Sequence, residues 1–415
     1  MKNKKLIIIL TPIVTVLLIF LILCFVTIGM TSFTYLDRVL THWDSSIKDV
    51  NLFPNRVVEK SFSPYQYYSL LNRKDFEDFQ VEYIRNGIPY KTDLKRFVKD
   101  TKTTSLIVIR DDINVFEEYG NGYGSESINT SFSMAKSIVS LMIGIAVEDG
   151  YIQSIKQPIS DYIEEFKGLE IGNNTIEDLL LMRSNIVYDE DKFLWFGDDS
   201  LTYWSADLRK LALKHTKVTD EYNGKFHYNN YHPLLLGIIL ERTTGMSVSK
   251  YFEQKIWSPL GTNYDASWSL DSKKSGFEKM ESGINFRSID FVKIGTMILH
   301  GGKLMGNQII SEEWIKQSMY CQFPIDDEEY KGTFLEDKNI GYKYMWYTVP
   351  SIKYGYYDIV AWGKSDQILY ISPAYNIVIL RTGKTDGGIS DWIETLADIA
   401  FSVSRLKLKT YYDIL

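Results

Sequence analysis

From Leu6 to Met30 the chain carries no charged residue, and the next one is Asp37. A helix over this run would extend roughly 37 Å, enough to cross a hydrocarbon core of about 30 Å with some tilt. Lys2, Lys4 and Lys5 precede it, which predicts an N-terminus inside and the remainder outside the cytoplasm. The rival reading is a cleaved signal peptide. The run is longer than the usual apolar region of such a signal, and Thr27 to Ser32 lacks a small-residue cleavage pattern. Cys24 also lacks the small residue that precedes a lipoprotein cysteine. Pro12 is tolerable in a spanning helix. Residues 1–5 therefore read as a cytoplasmic tail and 6–30 as an uncleaved anchor of a single-pass cell-membrane protein.

Beyond the anchor the chain has the composition of a folded domain. Of the 415 residues 45% are hydrophobic and 24% charged, which excludes disorder as the main state. A formal net charge of −7 excludes nucleic acid as the main partner, because phosphate binding needs a basic face. Two cysteines, Cys24 and Cys321, exclude a disulfide framework and cysteine-rich zinc modules. The five histidines form no H-E-x-x-H pattern. No metal is implied.

Residues 31–100 are turn-rich, with Pro54, Pro64 and Pro89, and read as a stalk and a wrapping segment. Residues 104–115 read as strand, turn at Asp111-Asp112, and strand. Ser133 to Asp149 has a strong helical period and stops at Gly150. The middle, about 150–340, reads as a mainly helical insertion, with helices over Thr175–Met182, His232–Arg242, Ser247–Ile256 and Ser288–His300. Strands return at Gly341–Val349, Tyr356–Trp362, Gln367–Ser372 and Asn376–Arg381. A last helix runs from about Ile389 to Leu406, and 407–415 is a tail. Strands at both ends of a helical middle predict an α+β fold with one sheet built from distant segments, spanning 101–406.

Three places could do chemistry. Ser133 and Lys136 stand three apart at a helix start, on one face. A serine needs a base to become a nucleophile, a partly buried lysine can serve as one, and the helix N-terminus favours an oxyanion. Serine near a helix start is also ordinary N-cap chemistry. Tyr228 and Asn230 precede the second helix of the middle, where a phenol can pass a proton and an amide can hold a carbonyl; the same residues make ordinary caps and turns. Lys364, Ser365 and Gln367 lead into a strand, where a cation and a hydroxyl can clamp a substrate carboxylate and a strand N–H can complete an oxyanion hole. That stretch also reads as a polar hairpin. Gly383-Lys384-Thr385 is no P-loop, since Val378 stands where a glycine is required.

Taken in order, S-x-x-K, Y-x-N about 95 residues on, and K-S-x near the C-terminus resemble the penicillin-recognising serine hydrolases. The likeness runs from about Phe53 to Phe401. It is greatest to the branch holding class C β-lactamases, D-Ala-D-Ala carboxypeptidases and 6-aminohexanoate-dimer hydrolase-like enzymes. Thr175 to Ser184, Gly295 to Gly306 with Trp314, Gly363 to Pro373, and the lead-in Leu52 to Arg56 also carry it. The resemblance implies a β-lactamase/transpeptidase-like antiparallel sheet flanked by helices. It implies an acyl-enzyme on Ser133, with Lys136 and Tyr228 moving protons. Asn230 and Lys364 would position substrate, and the N–H groups of Ser133 and Gln367 would hold the oxyanion. No cofactor is implied.

Two residues depart from the family pattern. Asn185 and Asp366 each stand where glycine is usual. An aspartate at 366 would face substrate or pair with Lys364. The implied substrates are small molecules or peptides, cell-envelope peptides and D-alanyl groups among them. The alternative, favoured by Asp366, is a binding or sensor protein on the same fold.

Overall fold

The strand signal at 104–115 becomes two neighbouring strands of the main sheet. The computed structural model describes residues 2–69, 79–190, 194–319, 330–336, 338–351 and 356–406, with backbone alone for 2–11, 13, 194, 351 and 356. Eight strands form the main sheet: Tyr68–Ser69 (β1), Thr103–Arg110 (β2), Ile113–Tyr119 (β3), Gly341–Lys343 (β4), Trp346–Ser351 (β5), Tyr356–Gly363 (β6), Gln367–Ser372 (β7) and Ile377–Gly383 (β8). Their order is β4-β5-β6-β7-β8-β2-β3-β1. Every pair is antiparallel except β1 with β3. The C-terminal strand β8 thus lies against the N-terminal strand β2, as expected of one sheet built from distant segments. Both strands are covered on their two faces, which is why they read as apolar runs rather than alternating ones. Arg110 pairs with Ile113 across Asp111 and Asp112, whose φ values are +52° and +61°. Two left-handed residues in a two-residue loop match the twist of the strands they join.

The helices used below are Lys2–Met30 (α1), Phe33–His42 (α2), Met134–Glu148 (α3), Asp198–Trp204 (α4), Tyr231–Thr244 (α5), Ser288–Leu299 (α6) and Trp392–Ser404 (α7), with others between them. Helix α3 lies between β6 and β7 on one side and α5 on the other. It is buried almost all round, so its sequence is apolar without a polar stripe. Gly144 admits the ring of Trp314, which a Cβ at that position would overlap. Helices α6 and α7 both pack on the sheet.

Several expectations are corrected. The stretch Gly341–Val349 is two strands, β4 and β5, because Tyr344 and Met345 turn left-handed between them at φ +42° and +64°. The helix expected over Ser247–Ile256 changes to a π-turn at Glu253–Trp257. The middle is not helical throughout. Ala266–Ser269 and Ile284–Phe286 join Asn55–Val58 and Asn129–Thr130 in a second, four-stranded sheet. At Asn185, where glycine is usual, the backbone does not require one, since its φ is not positive; the left-handed residue nearby is Met182, at φ +58°, which caps Ile176–Leu181. Within 31–100, read as a stalk and a wrapping segment, residues 33–58 wrap on the domain. Tyr35, Leu36, Val39 and Phe53 are buried in one cluster with Trp195 and Trp204.

Helix α1 is continuous over its 29 residues, and its last turns touch the domain. Trp195 Nε1 donates to Thr27 Oγ1 at 2.9 Å. Among the described residues no helix is long and apolar enough to cross a membrane; the side chains of 2–11 and 13 lie outside that set. Cys321 and the tail 407–415 also lie outside the described residues.

Candidate active site

Ser133 is the residue before α3, with φ −65° and ψ −8°. The short strand Asn129–Thr130 and its partner Ile284–Phe286 deliver it there. Ser131 is pinned to the same neighbour: its N–H donates to Ile284 O at 2.8 Å, and its Oγ accepts from Ile284 N–H at 3.2 Å. Between them Phe132 is held at φ +43°. A bulky residue rarely takes that conformation, and strain of this kind gathers at functional sites.

One turn into α3, Lys136 is only 2% exposed. Its Nζ donates to Ser133 Oγ at 2.9 Å and to the main-chain carbonyl of Glu281 at 3.2 Å. The ring of Tyr228 faces it, with its centroid 4.9 Å from Nζ. Tyr228 is half-buried and meets Phe334 and Tyr342 edge-on. Burial, and then the nearness of Tyr228, pushes the phenols of Tyr342 and Tyr347 well above their ordinary value. They are therefore neutral neighbours at neutral pH.

The structure thus brings Ser133, Lys136 and Tyr228 together. Asn230 is placed differently. Its Nδ2 donates to Tyr188 Oη at 2.6 Å and to Thr202 Oγ1 at 3.2 Å, while its buried Oδ1 has no partner among the described residues. It ties the start of α5 to α4.

The third motif is rearranged from what was expected. Gly363, at the end of β6, lies against the backbone of Ser131 to Ser133: a Cβ there would be 2.5 Å from Ser131 O and 3.0 Å from Ser133 N. Gln367 is across the hairpin from Gly363. Its side chain turns into the sheet, donating to Gly383 O at 2.8 Å and accepting from Gly383 N–H at 3.1 Å. Ser365 and Asp366 are both left-handed, at φ +59° and +54°. Glycine adopts such values without strain, which is the physical reason a glycine suits position 366. The carboxylate of Asp366 accepts from Trp362 Nε1 at 2.8 Å, and burial raises its pKa. It does not pair with Lys364, whose ammonium instead binds Asp44 and Ser45.

Sequence reasoning took Gly363 only as the start of the third motif, without its approach to Ser133, and it missed two further residues, one with a signal in the sequence and one without. Glu281 had none, since its contact with Lys136 is through the main chain; its carboxylate forms a buried ion pair with Lys279 at 2.9 Å. Arg381 had one, as a lone cation inside the apolar strand β8. It is fully buried, and burial lowers its pKa to about 9. It donates to the carbonyls of Ser365 and Asp366 at 2.6 and 2.8 Å, so it fixes the turn that carries Lys364.

Behind the site His232 is buried, with Nε2 2.6 Å from Ser184 Oγ. Burial first, then His227 and Lys136, lowers its pKa to about 3. The unfolded value is about 6.5. Between those values the unfolded chain binds more protons, so stability falls as pH falls. The loss expected by pH 3 is on the order of several kcal/mol. Urea unfolding from pH 7 to pH 3 should give a shallower pH slope for His232→Gln than for wild type; equal slopes would show that another group carries the acid sensitivity.

The Beta-lactamase family model matches residues 93–287. The 6-aminohexanoate-dimer hydrolase of Paenarthrobacter ureafaciens is 23% identical over 325 residues, covering 75% of this chain and 81% of that protein. A solved structure from Bacillus anthracis, assigned as a 6-aminohexanoate-dimer hydrolase, superposes with TM-score 0.71 at 21% identity, covering 91% of this chain and 96% of the other. A penicillin-binding protein from Bacillus halodurans gives TM-score 0.55 at 16% identity, over 73% of this chain and 98% of the other. These structures share the fold, and the likeness drawn from the three motifs stands.

Proposed function

We propose that this chain, whose sequence and fold are those of a β-lactamase-related serine hydrolase, cleaves amide or ester bonds through an acyl-enzyme on Ser133. The observation that carries the reading is the 2.9 Å bond between Lys136 Nζ and Ser133 Oγ, in a buried place at the start of a helix. Lys136 and Tyr228 take the Ser133 hydroxyl proton as Oγ bonds to the substrate carbonyl carbon. The Ser133 N–H, at the positive end of α3, meets the developing oxyanion, and the N–H of Gln367, paired with Gly363 across the hairpin, is the second donor. Tyr228 passes a proton to the departing amine or alcohol as the old bond breaks. Water then attacks the acyl carbon, gives its proton to the same pair, and Ser133 is released.

Amide cleavage is favoured over β-lactam hydrolysis, because the relatives covering most of the chain are named for an amide-linked dimer of 6-aminohexanoate. We further propose that residues 6–30 anchor the enzyme in the cell membrane with the domain outside. The uncharged run and the unbroken helix α1 support this. Cell-envelope peptides and D-alanyl groups would then be within reach. The sensor alternative rested on Asp366 obstructing the site; its bond to Trp362 removes that support.

The test is covalent labelling of the full chain. A fluorophosphonate should label wild type and not Ser133→Ala. A fluorescent penicillin should label weakly or not at all, which separates an amidase or esterase from a penicillin-binding enzyme. A wild type that takes neither label and hydrolyses no short-chain ester would leave the sensor reading instead.

A further inference from the structure

We infer that Asp44 sets the specificity of the site by occupying Lys364 from within the same chain, so that substrates lacking a carboxylate near the scissile bond are preferred. The inference rests on the hydrolase reading of Ser133. Lys364 directly follows Gly363, and Gly363 lies against Ser133 N. A cation one residue from that contact is placed to attract an anionic group on a substrate bound there. Its Nζ is already taken. It forms an ion pair with Asp44 and donates to Ser45 Oγ at 2.7 Å. Asp366, the acidic neighbour in sequence, is held by Trp362.

The arm that brings Asp44 across is seated firmly. Tyr35 Oη donates to Ser200 Oγ at 3.0 Å. Arg38 donates to the carbonyls of Trp204 and Asp271 at 2.9 and 2.7 Å. His42 stacks on Trp204 with centroids 5.9 Å apart, and Trp43 meets Trp195 edge-on at 6.3 Å. Trp43 then leaves α2 at φ +51°, and the next residue is Asp44. The arm therefore runs from the α4 side, which Asn230 ties to the start of α5, to the third motif on the sheet side. It carries a carboxylate where a substrate carboxylate would otherwise bind.

Both partners are exposed, Asp44 to 75% and Lys364 to 44% of their side chains. Such a pair contributes little to stability and exchanges readily. An anionic substrate competes with Asp44 for Lys364; a neutral one does not.

The test uses the full chain and two esters of similar length, p-nitrophenyl butyrate and the mono-p-nitrophenyl ester of glutaric acid. In Asp44→Asn the KM for the glutarate ester should fall at least fivefold, while kcat/KM for the butyrate ester stays within twofold. Adding Lys364→Gln should restore the wild-type KM for the glutarate ester. Equal changes on both esters, or a gain that survives loss of Lys364, would overturn the inference. Calorimetric titration with glutarate reads the same competition without turnover. Asp44→Asn should bind it at least fivefold tighter than wild type, and equal affinity overturns the inference even in a protein that hydrolyses nothing. Failure of the hydrolase reading looks different: no fluorophosphonate uptake at Ser133 while the glutarate difference remains.

Discussion

Replacing Ser133 by alanine should lower kcat/KM for a short-chain ester by about 10⁴-fold or more and abolish fluorophosphonate labelling. The change removes the atom that bonds to the acyl carbon, so the two-step route is lost. Its structural cost is small. Ser133 Oγ accepts one hydrogen bond in the structure, from Lys136, and losing such a bond costs about 1 kcal/mol. The thermal midpoint should therefore move by only a few degrees. Lys136→Ala should lose activity on a similar scale, since it removes the amine held 2.9 Å from Ser133 Oγ. It should also destabilise more, because it leaves the Glu281 carbonyl without that donor and empties a buried space under the Tyr228 ring. The double variant should be no slower than either single one, because the two residues act as a unit. Residual Ser133→Ala activity within tenfold of wild type would place the nucleophile elsewhere.

Much of this site is legible in the residue string, because its parts are local. Ser133 and Lys136 are one turn apart on a helix whose period is unmistakable, so their contact follows from helix geometry alone. Tyr228 stands just before a second apolar helix, α5, which packs against α3. The sheet is legible because β2 and β8 are covered on both faces and leave the short apolar runs Leu106 to Ile109 and Ile377 to Leu380. The features that escape a reading of the string are long-range or conformational. Tyr344 and Met345 break an apparent strand by turning left-handed, and neither residue type signals that. The role of Asn230 depends on Tyr188 and Thr202, 42 and 28 residues away. Lys364 and Asp366 are neighbours in sequence and suggest a pair, yet Lys364 pairs with Asp44 across 320 residues. The arm itself looks like a stalk because residues 31–100 are turn-rich; its attachment rests on Arg38, Tyr35 and aromatic contacts to a segment 160 residues on.

Gly363→Ala should cut kcat at least 100-fold while leaving the protein folded. The added Cβ would sit 2.5 Å from Ser131 O, 3.0 Å from Ser133 N and 3.2 Å from Met134 N. All three are backbone atoms, so no side chain can swing aside. Neither partner yields easily. Ser131 is tied to Ile284 in both directions and its carbonyl accepts from Met134 N–H at 3.2 Å. Gly363 is paired with Gln367, which is itself bonded twice to Gly383. Relief therefore requires the nucleophile and the strand end to move apart by several tenths of an ångström or more. Overpacking of this kind costs about 1–3 kcal/mol, a loss an intact core of this size tolerates. Catalysis does not tolerate it, because the Ser133 N–H and the strand end must hold one oxygen together, and a shift of about 1 Å can cost 10²-fold. The loss should fall on kcat more than on KM, since the oxyanion exists only in the transition state and its intermediate. Fluorophosphonate labelling should slow in parallel, because that adduct uses the same N–H groups. A Gly363→Ala protein with wild-type kcat would mean that β6 does not approach Ser133 in solution, and the oxyanion donor would then have to be sought away from the third motif.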